Sequence, residues 1–263
     1  MNHTCFSAIL IVLSLLISKS NAQNQQYDTC GELLQCGNIA DLGYPFWGGN
    51  RPEFCGLPAF NLNCTATDSQ PRITINSHDY HVLAINNESW SITVIRNEFF
   101  DDVCPENPGN ATLDTSFFNY AADITNFTLF YGCRTTIPSN QVLNSFDCEG
   151  SDNTIFTNNS YLPTSLMPNL EALEALVGVC SYSIDVQVNK TSGDALKSSP
   201  PTIELKAALE NGFGLVWSAN NTACERCVGS NGRCGSNSSS FVCHCIDRDY
   251  AETCGNMGEQ TLG

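Results

Sequence analysis

Short runs rich in β-branched and aromatic residues follow one another between residues 72 and 96 and predict β-strands. The segments are RITI (72–75), YHVLAI (80–85) and WSITVIR (90–96), and such residues fit a pleated, half-buried surface. The polar stretch NNES (86–89) between the last two segments is typical of a turn. We therefore predict a hairpin within a small antiparallel sheet.

The second half of the chain mixes predicted strands with short helices. FTLFY (127–131), VCSYSIDVQV (179–188) and FGLVW (213–217) predict strands. Leucines at helical spacing predict a helix over 167–177, and a second short helix is predicted over 202–210. The fold class that follows is mainly β, with one or two short helices.

An apolar run near the start predicts a secretory signal peptide over residues 1–22. Residues 6–17 (FSAILIVLSLLI) are almost wholly apolar, and Ser20 and Ala22 supply the small residues of a cleavage site. This run is shorter than the ~18 residues that a spanning helix needs, and no longer apolar run follows residue 22. The sequence is expected to be either a free secreted ectodomain or part of a longer receptor.

The cysteine content supports an extracellular location. Of 15 cysteines, 14 follow residue 22, and an even number in a secreted chain predicts as many as seven disulfides. They form groups of four, four and six, each of which could close on itself, although spacing does not fix the pairing. The predicted disulfide cysteines are Cys30, Cys36, Cys55, Cys64, Cys104, Cys133, Cys148, Cys180, Cys224, Cys227, Cys234, Cys243, Cys245 and Cys254.

Zinc is the alternative for the last cysteine group, because Cys224, Cys227, Cys243 and Cys245 with His244 loosely imitate a two-knuckle site. Zinc ligation needs thiolates, so disulfides are favoured in a secreted chain. We therefore expect no metal site and no cofactor.

Eight Asn-x-Ser/Thr sequons are predicted glycosylation sites: Asn63, Asn87, Asn110, Asn126, Asn158, Asn189, Asn220 and Asn237.

The charge and the motif content exclude several functions. The chain carries 27 acidic and 11 basic residues, a formal net charge of −16, whereas a nucleic-acid partner requires a basic face. Neither the glycine-rich loop nor the Asp-Phe-Gly motif of a kinase occurs, and no Gly-x-Ser-x-Gly motif indicates a hydrolase. We therefore predict that this chain is not an enzyme and that no residue is catalytic.

The stretch from Cys30 to Cys64 resembles a known family. CGNI (36–39), YPFW (44–47) and the CG, Pro, Phe, Leu and Cys positions within 55–64 are similar to the galacturonan-binding domain of plant wall-associated receptor kinases. Leaf-rust-resistance receptor-like kinases carry a similar ectodomain. The spacing C-x2-C-x6-C-x8-C-x-C-x8-C over 224–254 resembles the C-terminal module of wall-associated kinases and the second half of an EGF-like repeat.

This resemblance implies a domain organisation and a location. After the signal peptide we expect a galacturonan-binding-like module over 28–104. A C-terminal-like module is expected over 110–256, with its EGF-like cysteine-rich tail at 224–254. The location implied is extracellular, in the apoplast facing the cell wall, or at the plasma membrane if the chain is part of a longer receptor. A full-length relative would carry a serine/threonine kinase domain, which is absent from this sequence.

The resemblance also implies a function, which is non-catalytic binding of pectic, galacturonan-like polysaccharide. Aromatic rings can stack on sugars and guanidinium groups can pair with uronate carboxylates. The net charge opposes a polyanion, so bridging by Ca²⁺ or a local arginine patch would be needed. The alternative is a defence or signalling ectodomain that binds a protein, a peptide or a co-receptor. The candidate ligand-binding residues are Tyr44, Trp47, Arg51, Arg72 and Arg96; otherwise the aromatic residues fill small cores and the arginines form surface ion pairs.

Overall fold

The computed structural model describes residues 25–65, 70–105, 109–113, 115–133, 144–149, 155–169, 179–198, 200–201, 203–238 and 240–255. The described residues fall into two compact units: those up to Ile73 together with those from Ser218 onward, and those from Thr74 to Trp217. The first unit is thus built from two separate segments of the chain. The modules expected over 28–104 and 110–256 stay a prediction. The predicted signal peptide lies outside the described residues, and so do residues 170–177 of the helix predicted over 167–177.

The first unit consists of short elements that disulfides hold together. Its first hairpin turns at Gly37, whose φ is 58°, and two short 3-10 helices cover Glu53–Cys55 and Pro58–Phe60. The remaining elements are α1 (25–31), β1 (Leu34–Cys36), β2 (Ile39–Leu42), β3 (Leu62–Asn63) and β4 (Arg72–Ile75), within which the two units divide.

Residues after Ser218 form the cysteine-rich tail of this first unit. They comprise α4 (Asn221–Gly229) and the antiparallel strands β13 (Arg233–Asn237), β14 (Ser240–His244) and β15 (Asp249–Tyr250). Side chains of the early segment pack against this tail. The ring of Tyr44 meets that of Phe241 edge-on at 5.5 Å, and the Tyr27 hydroxyl donates to the Asn231 carbonyl at 3.1 Å. These contacts explain why the tail belongs to the first unit and not to the preceding residues.

The second unit is built from longer antiparallel strands. The strands β5 (His78–Asn86), β6 (Ser91–Arg96), β12 (Phe213–Trp217) and β7 (Phe118–Tyr120) lie side by side in this order. The predicted hairpin is confirmed: at its turn, the Asn86 side-chain oxygen accepts from the amides of Glu88 and Ser89 at 2.9 and 3.0 Å. A second sheet has the order β11 (Tyr182–Asn189), β8 (Ile124–Tyr131), β10 (Ile155–Pro163) and β9 (Asn144–Glu149).

The core of the second unit lies between this second sheet and two helices, α2 (Lys190–Lys197) and α3 (Leu205–Glu210). Phe127 and Leu129 of β8 are fully buried in it, beside Val186 of β11. Helix α2 was not predicted from the sequence, although Asn189 caps it by accepting from the Ser192 amide at 2.9 Å. Two further 3-10 helices cover Asn97–Phe99 and Thr164–Asn169.

All fourteen cysteines after residue 22 are disulfide-bonded, and every pair closes within its own sequence group. The pairs are Cys30–Cys55, Cys36–Cys64, Cys104–Cys148, Cys133–Cys180, Cys224–Cys234, Cys227–Cys243 and Cys245–Cys254. In the tail the first cysteine pairs with the third, the second with the fourth and the fifth with the sixth. The mainly β, disulfide-stapled fold with an EGF-like tail is thus confirmed.

Candidate functional site

The loop that carries Trp47 is fixed against β3 by backbone pairing. The Leu62 amide donates to the Trp47 carbonyl at 2.8 Å, and the Trp47 amide donates to the Phe60 carbonyl at 3.3 Å. Trp47 thereby forms a parallel bridge with Asn61. The preceding residue, Phe46, is fully buried, and its ring lies 5.5 Å from that of Phe60. The bulky YPFW motif therefore puts one aromatic ring inside and turns the next one outward.

Two glycines make this close approach possible. A Cβ on Gly48, whose φ is +134°, would lie 2.2 Å from the Leu62 carbonyl oxygen. A Cβ on Gly56 would lie 2.7 Å from Cδ1 of the Trp47 ring. Only glycine leaves room for backbone or a ring at such distances. Gly48 thus allows the loop to pair with β3, and Gly56 leaves the space that the Trp47 indole occupies.

Strand pairing places four side chains on one face of this small sheet. Asn61 and Asn63 are exposed while Leu62 between them is buried, so the two amides share the outer face. Trp47 is paired with Asn61, and Arg72 of β4 is paired with Asn63. Directly paired residues project to the same side of a sheet. We call Trp47, Asn61, Asn63 and Arg72 the polar face.

The polar face combines side chains whose chemistry is suited to acidic sugars. Trp47 is half-buried, and its indole Nε1 donates to the Leu57 carbonyl at 2.7 Å, which fixes the ring. Arg72 is also half-buried, and a guanidinium is suited to bidentate pairing with a carboxylate. Exposed asparagine amides can donate to and accept from hydroxyl groups. A ring for stacking, a cation and an amide therefore lie on one surface.

Arg51 has a structural position that does not fit the predicted contact with a ligand. It is only 2% exposed, and its guanidinium donates to the carbonyls of Phe46, Cys30 and Cys55 at 3.2, 2.9 and 2.9 Å and to that of Glu32. Burial lowers the pKa of Arg51 to about 10, so it stays charged at neutral pH. Arg51 thus holds together residues 30–55, the loop that the Cys30–Cys55 disulfide closes, which we call the first cysteine loop.

The other two predicted ligand residues are also not part of the polar face. Tyr44 is half-buried against Phe241 in the cysteine-rich tail, and burial raises the pKa of its hydroxyl. Arg96 belongs to the second unit, where it is 2% exposed and paired with Glu98, and its Nη1 donates to the Asp185 carbonyl at 3.4 Å. Of the five candidates, the structure brings only Trp47 and Arg72 together.

Asn61 was missed by sequence reasoning. The signal that would have found it is the alternation Asn61-Leu62-Asn63 directly before Cys64, which is typical of a strand with one polar side. The strand is only two residues long, so it falls below the length at which such patterns are normally read.

The cysteine-rich tail is where the sequence left a zinc site as the alternative to disulfides. The tail thiols are bonded in disulfides, so they offer no thiolate to zinc. His244 instead contacts Asp249, with Nδ1 2.7 Å from a carboxylate oxygen.

Of the sequons whose side chains are described, Asn189 alone is half-buried. Those at Asn63, Asn87, Asn110, Asn126, Asn220 and Asn237 are exposed.

The second unit contains a different concave feature, a cleft of about 860 Å³. Phe146, Tyr161 and Leu205 contribute buried apolar surface to it. Four carboxylates line it against one lysine, Lys206, which is itself paired with Glu210. A polyanion is repelled by such a lining, whereas a cationic ligand would be attracted. The acidic residues are Asp101, Asp102, Asp147 and Glu204.

The fold is that of small, disulfide-stapled modules, which are typical of extracellular proteins. Comparison with known families specifies it further. The family model described as wall-associated receptor kinase galacturonan-binding matches residues 30–96, which contain the whole polar face. The model described as wall-associated receptor kinase C-terminal matches residues 147–248. Two segments of the chain thus match modules of the wall-associated receptor kinase ectodomain.

Several receptor-like kinases of Arabidopsis thaliana are similar to this chain over most of its length. Leaf rust 10 disease-resistance locus receptor-like protein kinase-like 2.1 is 29% identical over 261 residues, which cover 98% of this chain and 39% of the relative. The kinase-like 2.5 protein is 32% identical over 251 residues, 91% of this chain and 37% of the relative. The chain thus spans about two fifths of these relatives.

The matched modules are those of the ectodomain, and no kinase domain is among them. Within the part of the chain that the structure describes, no helix has the length and apolar character needed to cross a membrane. No solved structure gives a significant match to the chain.

Proposed function

We propose that the first unit binds pectic, galacturonan-like polysaccharide at the polar face. Trp47 stacks on a sugar ring, Arg72 pairs with a uronate carboxylate, and Asn61 bonds to hydroxyl groups. The observation that carries the proposal is the register that puts these side chains on one surface, inside the segment matched by the galacturonan-binding family model. The location we propose is the cell-wall side of a plant cell, with attachment to the plasma membrane if a longer receptor carries the module.

The charge of the chain limits this interaction to a local one. From residue 23 onward, the first unit has ten acidic residues and five arginines, and the second has seventeen acidic residues and five basic ones. Fields of exposed charges decay over about 8 Å at physiological salt. A single guanidinium in direct contact can therefore outweigh distant carboxylates, and bridging Ca²⁺ would add to the attraction.

The test is a calorimetric titration of unglycosylated, fully oxidised protein with oligogalacturonide at physiological salt, with and without Ca²⁺. Arg72→Gln is expected to weaken binding about tenfold or more, because a hydrogen bond to a charged group contributes about 1.5–3 kcal/mol. Trp47→Ala should have an effect of similar size. Arg248→Gln is the matched control, since it removes an exposed arginine from the tail of the same unit. Equal binding by Arg72→Gln and Arg248→Gln would refute the proposal.

A second candidate function is binding of a basic peptide or protein segment, and the acidic cleft of the second unit favours it. Its buried aromatic surface and four carboxylates suit a ligand that is apolar and positively charged. A lysine- and arginine-rich peptide should bind in a salt-dependent manner and lose affinity in the Asp101→Asn/Asp102→Asn variant. Glu88→Gln, at the exposed hairpin turn, is the control that should leave affinity unchanged.

A further inference from the structure

We propose that Asn63 is an N-glycosylation site whose glycan covers the polar face and so controls access of polysaccharide to it. The inference rests on the function proposed above and adds a covalent means of regulation. It depends on where the sequon lies in the folded protein, which sequence alone does not reveal.

The sequon Asn63-Cys64-Thr65 lies at the end of β3. Asn63 is exposed, and its Oδ1 accepts from the Thr65 amide at 3.1 Å and from the Thr65 hydroxyl at 2.8 Å. Both bonds use the oxygen, and within the described residues no hydrogen bond from Nδ2 accompanies them. The nitrogen that would carry a glycan is therefore compatible with the folded state.

Attachment transfers an oligosaccharide from a polyprenyl diphosphate donor to Asn63. The amide Nδ2 forms a bond to the anomeric carbon of the first sugar and loses one proton. The bond from that carbon to the diphosphate oxygen breaks, and the polyprenyl diphosphate leaves. No oxidation or reduction takes place, and the product differs from the unmodified chain by a neutral, bulky substituent on one amide.

The position of this substituent determines its effect. Asn63 is directly paired with Arg72 across the β3–β4 ladder, and the side-chain Cβ atoms of such pairs are about 5 Å apart. A glycan rooted at Asn63 would thus begin beside the guanidinium that is proposed to bind uronate. Because it would not alter Arg72 or Trp47 themselves, it would compete for space while leaving the fold intact.

Other sequons differ in their surroundings. Asn189 uses both ends of its amide internally: Oδ1 accepts from the Ser192 amide, and Nδ2 donates to the Gly212 carbonyl at 3.2 Å. Asn87 is exposed at the β5–β6 turn in the second unit. A glycan at Asn87 therefore provides a control that has the same chemistry and does not lie on the polar face.

The experiment compares proteins secreted from the same plant cells. Wild type, Thr65→Ala and Ser89→Ala are prepared, the last two losing the sequons at Asn63 and Asn87. Peptide mass spectrometry measures occupancy at each asparagine, and oligogalacturonide affinity is then determined. Thr65→Ala is chosen over enzymatic removal of the glycan, because the enzyme hydrolyses the amide and converts Asn63 to aspartate. A carboxylate at position 63 would itself alter the charge beside Arg72.

We expect Asn63 to be occupied in wild type and Thr65→Ala to bind oligogalacturonide about tenfold or more tightly, the effect of unblocking one charged contact. Ser89→Ala should bind like wild type. An unmodified Asn63, or equal affinity of wild type and Thr65→Ala while Asn63 is occupied, would overturn the inference. Failure of unglycosylated protein to bind at all would refute the proposed function instead, so the two failures are distinguishable.

Discussion

The two units solve the problem of stability in different ways. The first holds five of the seven disulfides among short strands and turns, whereas the second holds two and buries a continuous apolar cluster around β8 and β11. Small modules with little core depend on crosslinks. The crosslinked unit can therefore leave polar and aromatic side chains on its surface, and it is this unit that carries the polar face.

The units also differ in charge, and this difference bears on function. The second unit has the larger excess of carboxylates, and some of them line its cleft. Because the second unit depends on its core and the first on its disulfides, truncation of a core residue and removal of a disulfide should destabilise different units.

The largest effect is expected from Phe127→Ala in the second unit. Phe127 packs among the residues of the core and is 0% exposed to solvent. Truncation of a buried phenylalanine to alanine costs about 3–5 kcal/mol. Denaturant unfolding should show this loss in free energy of unfolding. Exposed Tyr182→Ala on the adjacent strand is a control, and a loss below that of the control would mean that the second unit does not depend on its core.

Removal of the Cys30–Cys55 disulfide should destabilise the first unit by about 3.5 kcal/mol. The bond closes a loop with a sequence separation of 25 residues, and the estimate follows from the entropy that such a crosslink removes from the unfolded chain. The variant is Cys30→Ala/Cys55→Ala, and limited proteolysis should cleave the first unit before the second. Cleavage of the second unit first would contradict the comparison.

Arg51→Met should cost about 2–4 kcal/mol, because buried carbonyls that lose their donors are expensive. Four carbonyls of the first cysteine loop depend on this guanidinium. Arg51→Lys should recover only part of the loss, since one ammonium cannot reproduce the planar fork. Full stability of Arg51→Met in thermal unfolding would show that the disulfides alone hold the loop.

The smallest effect concerns the helix cap at Asn189 in the second unit. Asn189→Ala removes the bond to the Ser192 amide and should cost about 1 kcal/mol. The same contacts predict that Asn189 carries no glycan in secreted protein, which peptide mass spectrometry can check. A fully occupied Asn189 would mean that the cap is not formed when the sugar is transferred.

The sequence predicted those parts of the fold that depend on local pattern. The β5–β6 hairpin follows from strand propensity and the Asn86 turn. The even count of each cysteine group allowed it to close on itself, and the disulfides show that each group does so. The return of the tail to the first unit depends on contacts such as Tyr44 with Phe241, almost 200 residues apart in the chain, which no local pattern encodes.

The same limit applies to the candidate site. An arginine that binds a ligand and one that binds backbone carbonyls look identical in sequence, so Arg51 and Arg96 could not be separated from Arg72. Asn61 was missed because its strand is so short. What distinguishes these residues is burial and register, which exist only in the folded chain.

The most direct test of the central claim uses the three tryptophans of the chain as probes of position. Trp47 lies on the polar face, while Trp90 and Trp217 belong to the second unit. Their indole N–H signals are followed by NMR while unglycosylated protein is titrated with oligogalacturonide, and Trp47→Phe assigns the first signal. The account predicts that the Trp47 signal shifts with saturation and that the others stay in place. Binding that moves Trp90 or Trp217 and leaves Trp47 unchanged would contradict it.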